Sequence, residues 1–244
     1  MIKRSLVVRQ ILQEVRRNYA AQPDYTKQFV FKTADMSDKD RLVDMVLNRY
    51  LREEPHAVAL GLANSNGKSL AGWIVEKSLM FPHSIVIEEK ATGKMAGFRI
   101  MSEDDRESAK KPSPLDNVSM MDESVQMIAR IVEIRKEVWK MRPQAHKVIR
   151  RELTFVLPQH QRKGIAQYLL HLNLNFEELR KQGFDGIQSE AASVANQKLL
   201  EKNGYEMLMQ APRSQYRKKD GTEVILPDGG SGLKLYYLDL HKQR

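Results

Sequence analysis

Residues 152–166 read ELTFVLPQHQRKGIA. Glu152 to Pro158 read as a strand that stops at the proline, which has no N–H to give to a ladder. Gln159 to Gly164 form a short polar and basic loop, and a helix begins at Ile165. The first amides of a helix have no intrahelical acceptors, and the helix dipole is positive at that end. Such an end binds phosphate oxygens. Gly164 permits close approach, Ala166 is small enough to leave the way in open, and Arg162 and Lys163 add charge. A pyrophosphate suits this loop. A plain strand–helix turn with a glycine in it is the competing reading, so one glycine alone decides nothing.

Around this segment lies a chain of 244 residues, long enough for one large domain or two small ones with a real core. No apolar run approaches the roughly 18 residues needed to span a bilayer, so no membrane partner is expected. The absence of cysteine excludes disulfides, thiolate zinc sites and cysteine nucleophiles. No His or acid spacing suggests a metal. With no secretory signal in view, the expected compartment is the cytoplasm. The net charge of +9 is spread over short clusters, among them Arg16-Arg17, Lys110-Lys111, Arg150-Arg151 and Arg162-Lys163. None reaches the five or six like charges, roughly, of a nucleic-acid tail. The charge therefore reads as a solvated basic surface, with one or two clusters available to an anionic cofactor and no nucleic-acid partner.

Residues 2–20 form an amphipathic, arginine-bearing helical pattern. It reads as an ordinary helix, with a mitochondrial presequence as the lesser alternative. Residues 1–25 are thus an N-terminal helix preceding or packed on a domain that spans 26–244. Within the domain, strands are expected at 28–33, 84–89, 95–101, 148–156, 186–190, 205–210 and 233–240. Helices are expected from a Ser37 N-cap to about residue 51, over 57–81 with an interruption at 64–67, and over 120–141, 165–182 and 194–202. Residues 103–117 are polar, carry two prolines and read as an exposed loop. Residues 213–232 read as a basic loop or hairpin. The pattern fits one α/β domain around a mixed sheet.

Gln161-x-x-Gly164-x-Ala166 after a Val156-x-Pro158 strand end resembles the acyl-CoA-binding motif of the GNAT superfamily of N-acetyltransferases. The resemblance implies the GNAT fold, a mixed central β-sheet flanked by helices, with acetyl-CoA (coenzyme A) as the cofactor. It implies that Gln161, Arg162, Lys163, Gly164, Ile165 and Ala166 hold the pyrophosphate. It also implies that the backbone of Phe155, Val156 and Leu157 faces the pantetheine arm. Residues 196–205 (NQKLLEKNGY) resemble the second GNAT motif, which places Asn196 beside the cofactor. One position departs from the pattern. Many members carry a tyrosine where this chain has Leu200, and there it protonates the leaving thiolate. Ser193, another hydroxyl or water then takes that role, or the thiolate leaves unassisted.

Residues 50–55 (YLREEP) resemble a segment of the invertebrate arylalkylamine N-acetyltransferases, in which the glutamate before the proline acts as general base through water. That residue is Glu54 here. Direct attack of a neutral amine on a thioester needs a base for the amine proton and a donor for the developing oxyanion. Two further carboxylates compete for the base role, Glu152 on the central strand and, more weakly, Glu190. Their bland alternatives are a helix-end surface charge for Glu54 and, for Glu152, a strand carboxylate paired with Arg150 or Arg99. His146, His160 and His171 are expected on the surface. The leading expectation is an N-acetyltransferase of small amines, most simply a monomer. A protein or peptide N-acetyltransferase and a catalytically weak acyl-CoA-binding module are the alternatives.

Overall fold

The computed structural model describes residues 23–64, 68–108 and 123–243. Strand β4 (Lys147–Val156) lies at the centre of a seven-stranded sheet. The others are β1 (Phe29–Thr33), β2 (Ile85–Glu89), β3 (Met95–Asp105), β5 (Gly186–Ala191), β6 (Glu206–Gln210) and β7 (Lys234–Asp239). Their order is β1-β2-β3-β4-β5-β7-β6. Only β4 and β5 run parallel, and every other neighbouring pair is antiparallel.

The parallel pair is short. It runs from Val148 opposite Gly186 to Arg151 opposite Ser189, and beyond that β4 continues to Val156 with β3 as its partner. At the point of separation the β3–β4 register slips. Ile100 faces Leu153 and Met101 faces Arg151, so Glu152 is an extra residue with no partner across the ladder. The slip resets the alternation of side chains. Arg150, Glu152 and Leu153 all line one cavity, while Arg151 and Thr154 hydrogen-bond to each other on the opposite face.

Two helical layers cover the sheet. On one face, α1 (Lys39–Asn48) and α3 (Lys68–Leu79) bury Leu42, Val46, Val75 and Leu79 against Val86, Phe98 and Ile100. On the same side α2 (Pro55–Leu60), α4 (Glu123–Val132) and α5 (Val138–Met141) pack Ala57, Ile131 and Val138 with Val148, Leu235 and Tyr237. On the other face, α6 (Ile165–Leu169), α7 (Phe176–Lys181) and α8 (Val194–Lys202) set Ile165, Leu179 and Leu200 against Ile87, Ile149, Ile187 and Tyr236. Each such fully buried aliphatic side chain contributes about 1.5–3 kcal/mol relative to exposure.

Several elements differ from expectation for identifiable reasons. Asp35, not Ser37, is the cap at the start of the α1 region. It accepts the Ser37 N–H at 2.8 Å and closes a capping box with Asp38 on the turn Met36–Asp38. Strand β3 extends to Asp105, because Glu103 and Asp104 pair with Lys147 and Arg150 across the ladder and need not seek solvent. The helix expected over 165–182 is two short helices. The guanidinium of Arg99 takes the carbonyl oxygen of Leu169, and Asn173 adopts φ +59°, so the helical ladder stops there. The helix over 120–141 is likewise divided by a 3₁₀ stretch, Glu133–Glu137. The expected helix at 2–20 and most of the loop at 103–117 lie outside the described residues.

Gly97 faces Val156 across the β3–β4 ladder. A Cβ there would lie 2.4 Å from the carbonyl oxygen of Phe155 and 3.0 Å from Cα of Val156. Both are backbone atoms of the central strand, so the strands must part to admit a methyl group. Gly97→Ala is expected to lower stability by about 1–3 kcal/mol, read as a fall in the urea midpoint. An unchanged midpoint would show that the two strands separate here without cost.

Candidate active site

The cavity opens between β4, β5 and the helices of the first face, and measures about 170 Å³. Leu51, Leu62, Ile74, Val125, Ile128 and Val132 give it apolar walls, and Glu54, His56, Arg135, Arg150, Glu152 and Glu190 its polar groups. All three carboxylates raised by the sequence therefore border a single cavity.

Glu54 is held there by local chain chemistry. It is the N-cap of α2 in extended conformation, Pro55 supplies the first helical residue, and Glu54 Oε2 accepts the Ala57 N–H at 2.6 Å. Its other oxygen, Oε1, lies 3.1 Å from His56 Nδ1. His56 Nε2 is 2.9 Å from the Tyr216 hydroxyl, which in turn accepts the Leu233 N–H at 2.7 Å. The network assigns the protons. A carboxylate can only accept, so Nδ1–H donates to Glu54, and in a neutral ring Nε2 then accepts from Tyr216. His56 and Tyr216 are almost wholly buried, at 1% and 0% exposure, so the hydrogen bonds behind Glu54 are shielded from water. Burial, with the Glu54 charge added, pushes the Tyr216 phenol up to about 12, which keeps it a hydroxyl. Glu54 is thus a fixed carboxylate on a cavity wall, not a helix-end surface charge. His56 and Tyr216 were absent from the sequence reading.

Glu152 has the paired role that was its bland alternative, with Arg150 as partner at 3.3 Å. Arg99 lies on the other face of the sheet. Glu152 also accepts from Ser102 Oγ at 2.5 Å and lies 3.6 Å from Lys77 Nζ. Burial alone would raise its pKa, but Arg150, Lys77, the Ser102 hydroxyl and Arg135 hold it below the ordinary carboxylate value. A carboxylate so stabilised is a poor proton acceptor. Glu190 lies 3.6 Å from Arg150 and accepts from Gln188 Nε2 at 2.7 Å.

The 152–166 segment runs from this cavity to the loop. Leu157 N–H donates to Ala96 O at 2.9 Å, so alternation along the strand turns the Val156 N–H and C=O toward the edge that β5 has left. There Val156 O accepts Gln161 Nε2 at 2.8 Å, and the same amide group reaches Glu53 Oε2 at 3.0 Å. The loop bends back through positive φ at Arg162 (+59°) and Gly164 (+86°). Tyr25 supports it from beneath, donating to Lys163 O at 2.6 Å. The next ladder bond is Tyr168 N–H to Gly164 O, which leaves the Ile165, Ala166 and Gln167 amides without intrahelical acceptors. Helix α6 has only five residues, so these amides and the exposed Arg162 and Lys163, more than a helix dipole, are what the loop presents.

Ser193 Oγ caps α8 by accepting the Asn196 N–H at 3.2 Å, and its neighbour Ala192 is the residue that touches the cavity. Asn196 sits in the first turn of that helix. Leu200 is fully buried in the core of the second face and does not line this cavity. His171 lies outside the cavity and is half-buried. It stacks on Tyr205 with ring centres 5.8 Å apart, and burial together with Arg151 and Arg99 pushes its pKa down to about 4. No group of three or more His, Asp or Glu placed to hold a metal occurs among the described residues, and no described helix is long and apolar enough to cross a membrane.

No protein-family model and no curated protein matches the chain. Solved structures match its fold. Arylalkylamine N-acetyltransferase 2 from Aedes aegypti superposes with a TM-score of 0.69 at 17% identity, over 87% of this chain and 99% of that one. The polyamine N-acetyltransferase of Drosophila melanogaster, which forms N-acetylagmatine, gives 0.67 at 14% identity, over 86% and 99%. The C-terminal condensation domain of Ebony, solved with beta-alanyl-dopamine, gives 0.63 at 12%, over 87% and 99%. At these identities the likeness is one of fold, and the chain has the α/β fold of the GNAT acetyltransferases. The last of these structures is a condensation domain, so the chemistry has to be argued from the site.

The depressed pKa of Glu152 has a consequence for stability. A carboxyl whose folded pKa lies below its ordinary 4.5 stabilises the fold above about that pH, and the contribution disappears as pH falls through the folded value. Glu152→Gln is expected to lose up to about 3 kcal/mol at pH 7, with the gap to the parent protein narrowing toward pH 3. Chemical denaturation at the two pH values reads this, and a constant gap would mean that the carboxylate charge is not what stabilises the site.

Proposed function

We propose that this chain is an acetyl-CoA-dependent N-acetyltransferase whose acceptor is a small primary amine. The observation that carries the reading is the opening between β4 and β5. It leaves one strand edge unpaired from Glu152 and Leu153 in the cavity to Val156 at the mouth of the 161–166 loop. The residues fit the cofactor. A free edge suits the amides of a pantetheine arm, and the loop amides with Arg162 and Lys163 suit a pyrophosphate. When bound, acetyl-CoA supplies an acetyl group activated as a thioester.

The chain's own residues divide the remaining work. Glu54 accepts the amine proton, directly or through water. One donor fixes each of its oxygens, so each keeps a lone pair for a further proton, and the residue lines the cavity. His56 is a positioning residue, since its Nδ1–H orients Glu54 and its Nε2 is occupied by Tyr216. The unpaired Val156 amide is a donor for negative charge that develops on the acyl oxygen. Ser193 is kept as a candidate hydroxyl for the leaving thiolate, because Leu200 carries no proton, although Ala192 and not Ser193 lines the cavity. Walls from α1, α3 and α4 enclose the cavity on several sides, which favours a small amine over a peptide laid in an open groove.

Thiol release from acetyl-CoA tests the reading, with tyramine, dopamine, serotonin, tryptamine, polyamines and a histone-tail peptide as acceptors. Turnover of a small amine supports it. Turnover of the peptide alone makes the chain a protein acetyltransferase, and thermal stabilisation by acetyl-CoA without any turnover makes it a binding module. Glu54→Gln is expected to lower kcat at least about 100-fold while acetyl-CoA still raises the melting temperature. His56→Leu should fall about 10-fold, and His56→Asn, which keeps an N–H near the Nδ1 position, should recover most of the loss. Equal losses in both His56 variants would reduce that residue to packing.

The loop has its own test. Arg162→Gly removes a charge but relaxes a backbone that already has positive φ. Its acetyl-CoA affinity is expected to drop several-fold, with a shallower salt dependence, as measured by calorimetry at two ionic strengths. Unaltered affinity would remove Arg162 from the cofactor site.

A further inference from the structure

The two arginines of the cavity are treated very differently. Arg150 is 4% exposed and lies 3.5 Å from Asp104, 3.3 Å from Glu152 and 3.6 Å from Glu190. Those acids are themselves engaged further, Glu152 by Lys77 and Ser102 and Glu190 by Gln188. Arg135 reaches the same cavity from the 3₁₀ stretch after α4, and its carbonyl is fixed by Gln188 Nε2 at 3.0 Å. Its guanidinium makes no hydrogen bond and has no carboxylate oxygen within 4.0 Å among the described residues. Burial and the neighbouring Arg150 press its pKa down, while Glu190, Glu152 and Glu133 act on it only through space.

Glu54 is the mirror case. Its two partners are an amide N–H and an imidazole, and among the described residues no Lys or Arg lies within 4.0 Å of it. The cavity therefore presents one anion without a cation and one cation without an anion, and every other charge in it is already paired. A second ammonium or guanidinium on the acceptor would meet acids that are satisfied. A carboxylate would meet an open fork of N–H donors whose planar geometry matches it.

On the amine-acetyltransferase reading given above, we propose that the acceptor is an amino acid. Its amine is presented to Glu54, its carboxylate is held by Arg135, and its body lies against Leu51, Leu62, Ile128 and Val132. Arg135 is then the residue that sets specificity, and it separates this site from one that takes amines with no acid group.

Matched pairs differing by one carboxylate test the proposal: phenylalanine against phenethylamine, and 4-aminobutyrate against propylamine. Turnover with acetyl-CoA is followed by thiol release, and binding to the CoA-loaded protein by calorimetry. In at least one pair the carboxylated member is expected to have the higher kcat/KM and the tighter binding, by about 10- to 100-fold. Arg135→Gln should bring that ratio close to one. A preference for the decarboxylated member in both pairs, or a ratio untouched by Arg135→Gln, overturns the proposal. Binding that favours the carboxylated member and is lost in Arg135→Gln, without turnover, upholds the site and counts against the acetyltransferase reading alone.

Discussion

A strand that loses its neighbour halfway along must hand its backbone groups to something else. Strand β4 is in that position beyond Arg151, at the centre of the sheet, where an unpaired edge is least expected. Much of the site follows from it. The register slip at Glu152 puts Arg150, Glu152 and Leu153 on one wall of the gap, and β5 sets Glu190 on the other. The helices of the first face roof this gap, and the 161–166 loop closes its far end. Glu54 enters it from a capping position whose geometry Pro55 prepares.

Charge is sorted by the two faces of β4. The consecutive arginines Arg150 and Arg151 point opposite ways, and their surroundings are unlike. Arg150 has three acids around it, and their attraction outweighs burial and keeps it charged. Arg151 and the nearby Arg99 are buried with carbonyl and hydroxyl acceptors in place of acids, and burial lowers the pKa of both, that of Arg99 to about 9. Arg99 also explains local structure, because the helix after the loop ends where its guanidinium takes the Leu169 carbonyl.

The parts of this molecule that were legible in the sequence are those written in consecutive residues. The strand–loop–helix segment at 152–166 was legible, and so were the strands of the mixed sheet, because each depends on local backbone chemistry. What was missed depends on distant partners. His56 gains its meaning from Tyr216, 160 residues away, and the break in the 165–182 helix from Arg99, 70 residues before Leu169. Strand β3 outran its polar composition because Lys147 and Arg150 neutralise Glu103 and Asp104 across the ladder. Ser37 lost the cap to Asp35 on a two-residue difference that hydrophobic spacing does not encode.

Gln161 bears on how a ligand arm would settle in the gap. Its side-chain amide already occupies the Val156 carbonyl and ties it to Glu53. Any chain that pairs with that carbonyl must first displace this amide, so it exchanges one hydrogen bond for another of similar strength. The net attraction along the strand edge is then small. Affinity for a long, thin ligand with a charged end would come mainly from the charged end, and so would weaken as ionic strength rises. The edge acts as a guide that fixes register, and the loop at its end as the anchor.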